Sequence, residues 1–139
     1  MCIRNIREVK IKPKYGYKLF IRDRKGNLLH EYANINVREE GFQKAESMDD
    51  INPKIRYEVE YNKNHKGKYC VFLNIKDAYL YSRRTGVVTE VWKVRIKYNK
   101  LLIGIASHMY IPTCNAGLVD EFELVKRESI LLPRDIYVC

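Results

Sequence analysis

Side chains able to act as nucleophiles, acid–base catalysts or metal ligands are few and scattered in this sequence. Histidine stands at 30, 65 and 108, and cysteine at 2, 70, 114 and 139. Zinc sites draw three or four Cys, His or carboxylate ligands, usually in close pairs. No C-x-x-C pair occurs, and the nearest approach, His108 with Cys114, lacks a second pair. These two become a nucleophile and base only if the fold joins them; a structural histidine is the commoner outcome. A Gly-rich phosphate loop, a nucleophile elbow and paired metal-binding histidines are all missing from the sequence. The residues therefore predict no metal and no cofactor, and favour a binding protein over an enzyme.

Cationic side chains, by contrast, are abundant and unevenly placed. Lys and Arg number 26 against 17 acids, a formal net charge of +9. Residues 1–37 carry 9 basic and 3 acidic groups and residues 61–100 carry 10 and 2, whereas 38–60 carry 4 and 7 and 101–139 carry 3 and 5. Segregation of this kind predicts an acidic partner: nucleic acid, a nucleoprotein complex, or an acidic protein surface. The candidate binding residues are Lys63, Lys66, Lys68, Arg83, Arg84, Lys93, Arg95 and Lys97. Lys93, Arg95 and Lys97 alternate with Trp92, Val94, Ile96 and Tyr98, so one face of a strand is apolar and the other cationic. Alternate side chains on a strand stand about 7 Å apart, a spacing suited to successive phosphate contacts. Tyr61, Tyr69 or Tyr98 would add base stacking if exposed. The plainer reading of the same row is a solvated face that discourages edge pairing.

The elements that must position these groups are mainly strands. Residues 1–12 read as extended, punctuated by Pro13 and Gly16, and Tyr17–Arg22 forms a hairpin with Leu28–Tyr32 across a turn at Asp23–Asn27. Residues 36–54 read as a long acidic loop, with a short helical turn around 42–48. Ile55–Tyr61 alternates as a half-buried strand, and Tyr69–Leu73 is apolar enough to be covered on both faces. Asn74 caps a helix over 75–84 that buries Ile75, Ala78 and Tyr79, with Arg83 and Arg84 in its last turn and Gly86 beyond its end. Strands follow at 92–98, 101–106 and 121–126, with a loop through Pro112, Asn115 and Gly117, and the apolar tail from 128 docks on the body or on a partner. The expected fold is one α+β domain over 1–139, a mostly antiparallel sheet with one principal helix packed on a face.

Compartment follows from what the sequence omits. No apolar run approaches the roughly 20 residues of a membrane span. The N-terminus Met1–Arg7 is basic and broken by charge, unlike a signal peptide. Sparse, unpaired cysteines suit a reducing cytoplasm. The expectation is a cytoplasmic chain with no membrane partner; the oligomeric state stays open.

Three resemblances carry further implications. Lys66-Gly67-Lys68-Tyr69-Cys70-Val71-Phe72-Leu73, followed by Asp77-Ala78, resembles the RNA-recognition motif, although Lys68 and Cys70 stand where that motif places stacking aromatics. Glu8-Val9-Lys10 is similar to the Glu-x-Lys end of a metal-dependent nuclease motif, but no acid precedes it. More of the chain resembles small phage-encoded accessory proteins: Gly16–Phe20, Tyr69–Phe72, Asp77-Ala78, Tyr81 and Leu124-Val125-Lys126. Those proteins commonly carry Gly-Phe-His before the central Phe, where Lys68-Tyr69-Cys70 stands here, so no role of that histidine transfers. This last resemblance implies an inhibitor of host defence, such as an anti-CRISPR protein. Two other readings stand beside nucleic-acid binding: a small enzyme or nucleotide-binding protein with a pocket near His108 and Cys114, and a protein–protein inhibitor acting through the acidic 38–50 loop.

Overall fold

The computed structural model describes residues 3–30, 36–44, 68–81, 89–108 and 111–131. Within them run β1 (Ile3–Val9), β2 (Tyr15–Arg22), β3 (Leu28–His30), β4 (Gln43–Lys44), β5 (Tyr69–Phe72), α1 (Ile75–Tyr81), β6 (Thr89–Lys97), β7 (Leu101–His108), β8 (Ile111–Val119) and β9 (Glu121–Leu131). All named strand pairs are antiparallel, in the order β1-β7-β8-β5-β2-β6-β9-β4, with β3 on β2. One edge of β2 pairs with β6 from Tyr15 to Ile21. Its other edge is shared, Tyr17 opposite Phe72 of β5 and Phe20–Arg22 opposite β3.

This sheet cannot be flat. β8 and β9 are joined by Asp120 alone, yet β5, β2 and β6 lie between them. Four strand spacings of about 4.8 Å make roughly 19 Å, whereas two Cα steps reach at most about 7.6 Å. The sheet must curl until the two strand ends meet. The link from β6 to β7 crosses in the same way, so Asn99-Lys100 turns a corner and closes no hairpin. Backbone and side chain of Asp120 tie the corners together: its N–H donates to the Lys97 carbonyl (2.9 Å), and its Oδ2 accepts from the Asn99 N–H (3.0 Å).

Curling gives the sheet an enclosed face and an outer face. Phe20, Val71, Val94, Ile96, Leu101, Ile103, Val119 and Phe122 meet inside, where Phe20, Val71, Val94, Val119 and Phe122 are wholly buried. Leu19, Phe72 and Leu118, each next to one of these, form a second cluster on the outer face with Val91, closed by Ala78 and Tyr81 of α1. Each buried Phe or Leu contributes about 1.5–3 kcal/mol of transfer free energy. Tyr69–Phe72 is covered on both sides, as its unbroken apolar run predicts.

The α+β expectation with a principal helix is therefore corrected to a mainly β fold. The sheet buries itself by closing over, and α1 is a two-turn patch rather than a layer. Asn74 starts it as expected, its Oδ1 accepting from the Lys76 N–H at 2.9 Å. Ala78 and Tyr81 face inward, but Tyr79 is 38% exposed. Described helix ends at Tyr81, and the expected extension through Arg83 and Arg84 lies outside the described residues.

Three segments expected as loops or breaks lie within strands instead. Pro112, Asn115 and Gly117 lie within β8, where an added Cβ at Gly117 would stand 3.3 Å from Leu101 Cδ1. Gly16 likewise lies inside β2, against the Phe72 carbonyl and Val71. Both glycines permit close backbone approach instead of marking turns. Gln43-Lys44 pairs with β9 at Phe122 and Glu121, so the expected helical turn does not begin there. The start of the apolar tail docks as β9 continues along β6 to Leu131. The hairpin of β2 and β3 forms as expected, with Gly26 at φ 87° in its turn.

Candidate functional site

β6 carries the expected cationic row on the face away from the enclosed core. Val94 and Ile96 are buried, Lys93 is half-buried, and Arg95 and Lys97 are exposed. Its neighbours decide what this row can do. On the β2 side, Tyr15 lies opposite Arg95 and Tyr17 opposite Lys93. On the β9 side, Lys126 is paired with Lys93, Glu123 with Arg95, and Glu121 with Lys97. The face is thus not wholly cationic. Arg95 Nη1 donates to Glu123 Oε1 at 2.8 Å, and Lys126 Nζ is 3.8 Å from Glu128.

Two aromatic rings sit under the row. Lys93 Nζ is 4.5 Å from the centroid of the Tyr15 ring, with Arg95 Cζ at 5.8 Å, and Lys97 Nζ is 3.7 Å from that of Phe42. Such contacts hold a long cation in place without burying it. The Arg95 guanidinium lowers the Tyr15 hydroxyl below its ordinary pKa, first by hydrogen bonding and then by charge, and Lys93 and Lys14 add to the effect. The contact in turn raises Arg95.

Lys68 adjoins the end of this row through the corner at Asp120 but is committed there, in an ion pair with the Asp120 carboxylate. Lys63, Lys66, Arg83, Arg84 and Tyr61 lie outside the described residues, as does the strand expected at 55–61. The remaining stacking candidates turn inward. Tyr69 lies parallel to His30 at 5.5 Å, edge-on to Phe122 at 4.7 Å, and donates its hydroxyl to the Lys44 carbonyl. Tyr98 donates to the Pro13 carbonyl, and burial raises its pKa. Tyr15, one of the residues before the strand expected at 17–22, is the aromatic residue this face presents, at 38% exposure.

A second charged group belongs to the interior. Lys18 Nζ lies 5.4–5.7 Å from the rings of Tyr69, Phe122 and Phe20 and donates to the Cys70 carbonyl at 3.3 Å. Beside it, His30 is pushed down to about 3, chiefly by burial and then by the charge of Lys18. At the far end of β6, Glu90 receives Arg22 through two nitrogens (2.7 and 2.9 Å) and the Trp92 indole N–H (3.0 Å). The hydrogen bond from Arg22 holds Glu90 below the usual carboxylate range.

The other candidate sites gain less. His108 is on β7 and Cys114 on β8; the backbone register opposes Cys114 to Ala106 and His108 to Ile111, across a register shift. In the acidic 38–50 segment, Glu39 and Glu40 are exposed, and the Gln43 carboxamide bridges the Arg38 N–H and carbonyl. Residues 45–50 lie outside the described residues. Among the described residues no three His, Cys, Asp or Glu side chains gather to hold a metal ion, and no helix is long and apolar enough to cross a membrane. No protein-family model, curated protein or solved structure matches the chain.

Proposed function

We propose that this chain is a non-enzymatic binding protein whose outer sheet face around β6 takes a polyanion: nucleic acid, bare or within a nucleoprotein complex. The observation that carries this reading is the row Lys93, Arg95 and Lys97 on one strand face, fixed over aromatic rings and bordered by Lys126 and exposed Lys14. The opposing carboxylates of Glu121, Glu123 and Glu128 leave these five cations in excess. The overall charge of +9 supports the same reading by raising the encounter rate with an anionic partner. The resemblance to phage-encoded accessory proteins supports a nucleoprotein target in the cytoplasm of a host cell, a CRISPR complex among them.

Binding of labelled DNA and RNA across a salt series tests the proposal. Each neutralised phosphate contributes about −0.7 to −0.9 to the slope of log K against log salt. The combined reversal Lys93→Glu, Arg95→Glu and Lys97→Glu is expected to abolish binding at low salt. An unchanged affinity and slope in this variant would remove the proposed surface.

A further inference from the structure

We infer that the ligand of this face is a single-stranded nucleic acid, with one base stacked on the ring of Tyr15 and the flanking phosphates held by Lys93, Arg95 and Lys97. The inference rests on the polyanion reading above and adds to it the form of the strand.

Tyr15 is the first residue of β2, opposite Arg95 on β6. The residue is 38% exposed while two cations position its ring, the Lys93 ammonium 4.5 Å from the centroid and Arg95 beside it. A ring already held in place on a sheet loses little freedom on binding, and stacking accepts any base because every base has a π-face; the base would take ring surface that the two cations leave open. Tyr69 and Tyr98, which could have served, have their rings packed against the enclosed core. The face therefore offers its aromatic surface at the same point as its charge.

That coincidence discriminates between strand forms. In a duplex the base faces are stacked on one another, so a protein reaches only phosphates and groove edges, and groove reading requires an element that projects into the groove. The β6 row is part of a sheet surface, with β2 on one side and β9 on the other. A duplex would use the cations and could use the Tyr15 hydroxyl for a phosphate, but would leave the ring face of Tyr15 without a role. An unpaired strand uses both.

The test compares a short labelled oligothymidine, an abasic strand of the same length and charge, and a duplex, with wild-type protein at one low salt concentration. The oligothymidine is expected to bind most tightly. Tyr15→Ala should weaken that binding about tenfold, as loss of one stacked base would, and leave the abasic strand unaffected. Tyr15→Phe should retain affinity, and Tyr15→Leu, which keeps bulk on the strand, should reproduce the loss if the alanine variant does not fold. Equal affinity for duplex and single strand would overturn the inference, as would Tyr15 variants that act on both strands alike or on neither. If the charge reversals still abolish binding in that case, the polyanion reading survives alone. If they also have no effect, or no strand binds, both fall.

Discussion

β6 has an ion pair near each end, and the two are built differently. At its start, the Glu90 side chain is 3% exposed and receives Arg22 through two nitrogens, with Trp92 as a third donor. Arg127 stands 3.9 Å away, and Arg22 also donates to the Gly26 carbonyl in the β2–β3 turn. Toward its other end, Arg95 is 50% exposed and meets one oxygen of Glu123, beside an exposed tyrosine. The first arrangement joins β2, β6 and β9 and has its charge matched inside the fold. The second is open to water on the Arg95 side, with the Glu123 side chain 21% exposed, and a pair so placed contributes little to stability. Charge on this sheet is thus structural at one end of a strand and available at the other, a difference that residue counts do not register.

Breaking the buried end should have the largest effect. Glu90→Ala leaves Nε and Nη2 of Arg22 and the Trp92 indole without their acceptor, and loss of one member of a buried pair typically costs about 3 kcal/mol. The expected result in chemical denaturation is a fall of that order, with nucleic-acid binding by the folded fraction unchanged. The pH dependence has a definite sign. Because folding lowers the Glu90 pKa from 4.5, its stabilisation is complete above about that pH and disappears as pH falls through the folded value. Glu90→Ala should remove this part of the acid sensitivity.

How much of this contrast could be read from residues alone differs between its two ends. Alternation over 92–98 exposes the cationic row directly, because strand geometry assigns successive side chains to opposite faces. The cross-strand neighbours are a different matter. Glu121 and Glu123 fall beside Lys97 and Arg95 only through the β6–β9 register, which pairing across the curled sheet decides. Tyr15 was hidden by Gly16, whose type suggests a turn although it serves a close approach to β5. β8 was hidden by Pro112, Asn115 and Gly117 for the same reason. The cap and spacing of the helix are local signals and stand out in the sequence, whereas closure of the sheet depends on the long-range links at 98–100 and Asp120.

The enclosed aromatic group sharpens the comparison further, since it places a titratable ring where β6 has none. Folding pushes His30 from 6.5 down to about 3, so the native state binds fewer protons than the unfolded chain between these values. Stability should rise with pH across that window and fall as pH drops from about 6.5 toward 3, with a slope of up to about 1.4 kcal/mol per pH unit for one proton. His30→Phe preserves ring contacts with Tyr69, Phe20 and Phe122 and removes the proton. Its stability, measured at intervals from pH 7 to 4, should vary less than that of the wild type. Equal slopes would assign the acid response to Glu90 and the other carboxylates.

The smallest expected effect on stability lies at the exposed end, and there it separates stability from binding. Glu123→Gln keeps the size of the side chain and removes the carboxylate charge that accepts from Arg95. An exposed pair of this kind gives back to water what it loses, so the denaturation midpoint should move by no more than experimental error. Binding should respond in the opposite direction. In the free protein Glu123 neutralises Arg95 and opposes any phosphate arriving at the row, and its removal adds one positive charge to the surface without altering the β6–β9 pairing. The variant is therefore expected to bind a single strand several-fold more tightly at low salt, and the gain should shrink as salt is added, because exposed charges are screened within about 10 Å at 0.1 M ionic strength. If binding weakened instead, the Arg95–Glu123 pair would be an organising part of the interface, and the two ends of β6 would differ in burial but not in purpose.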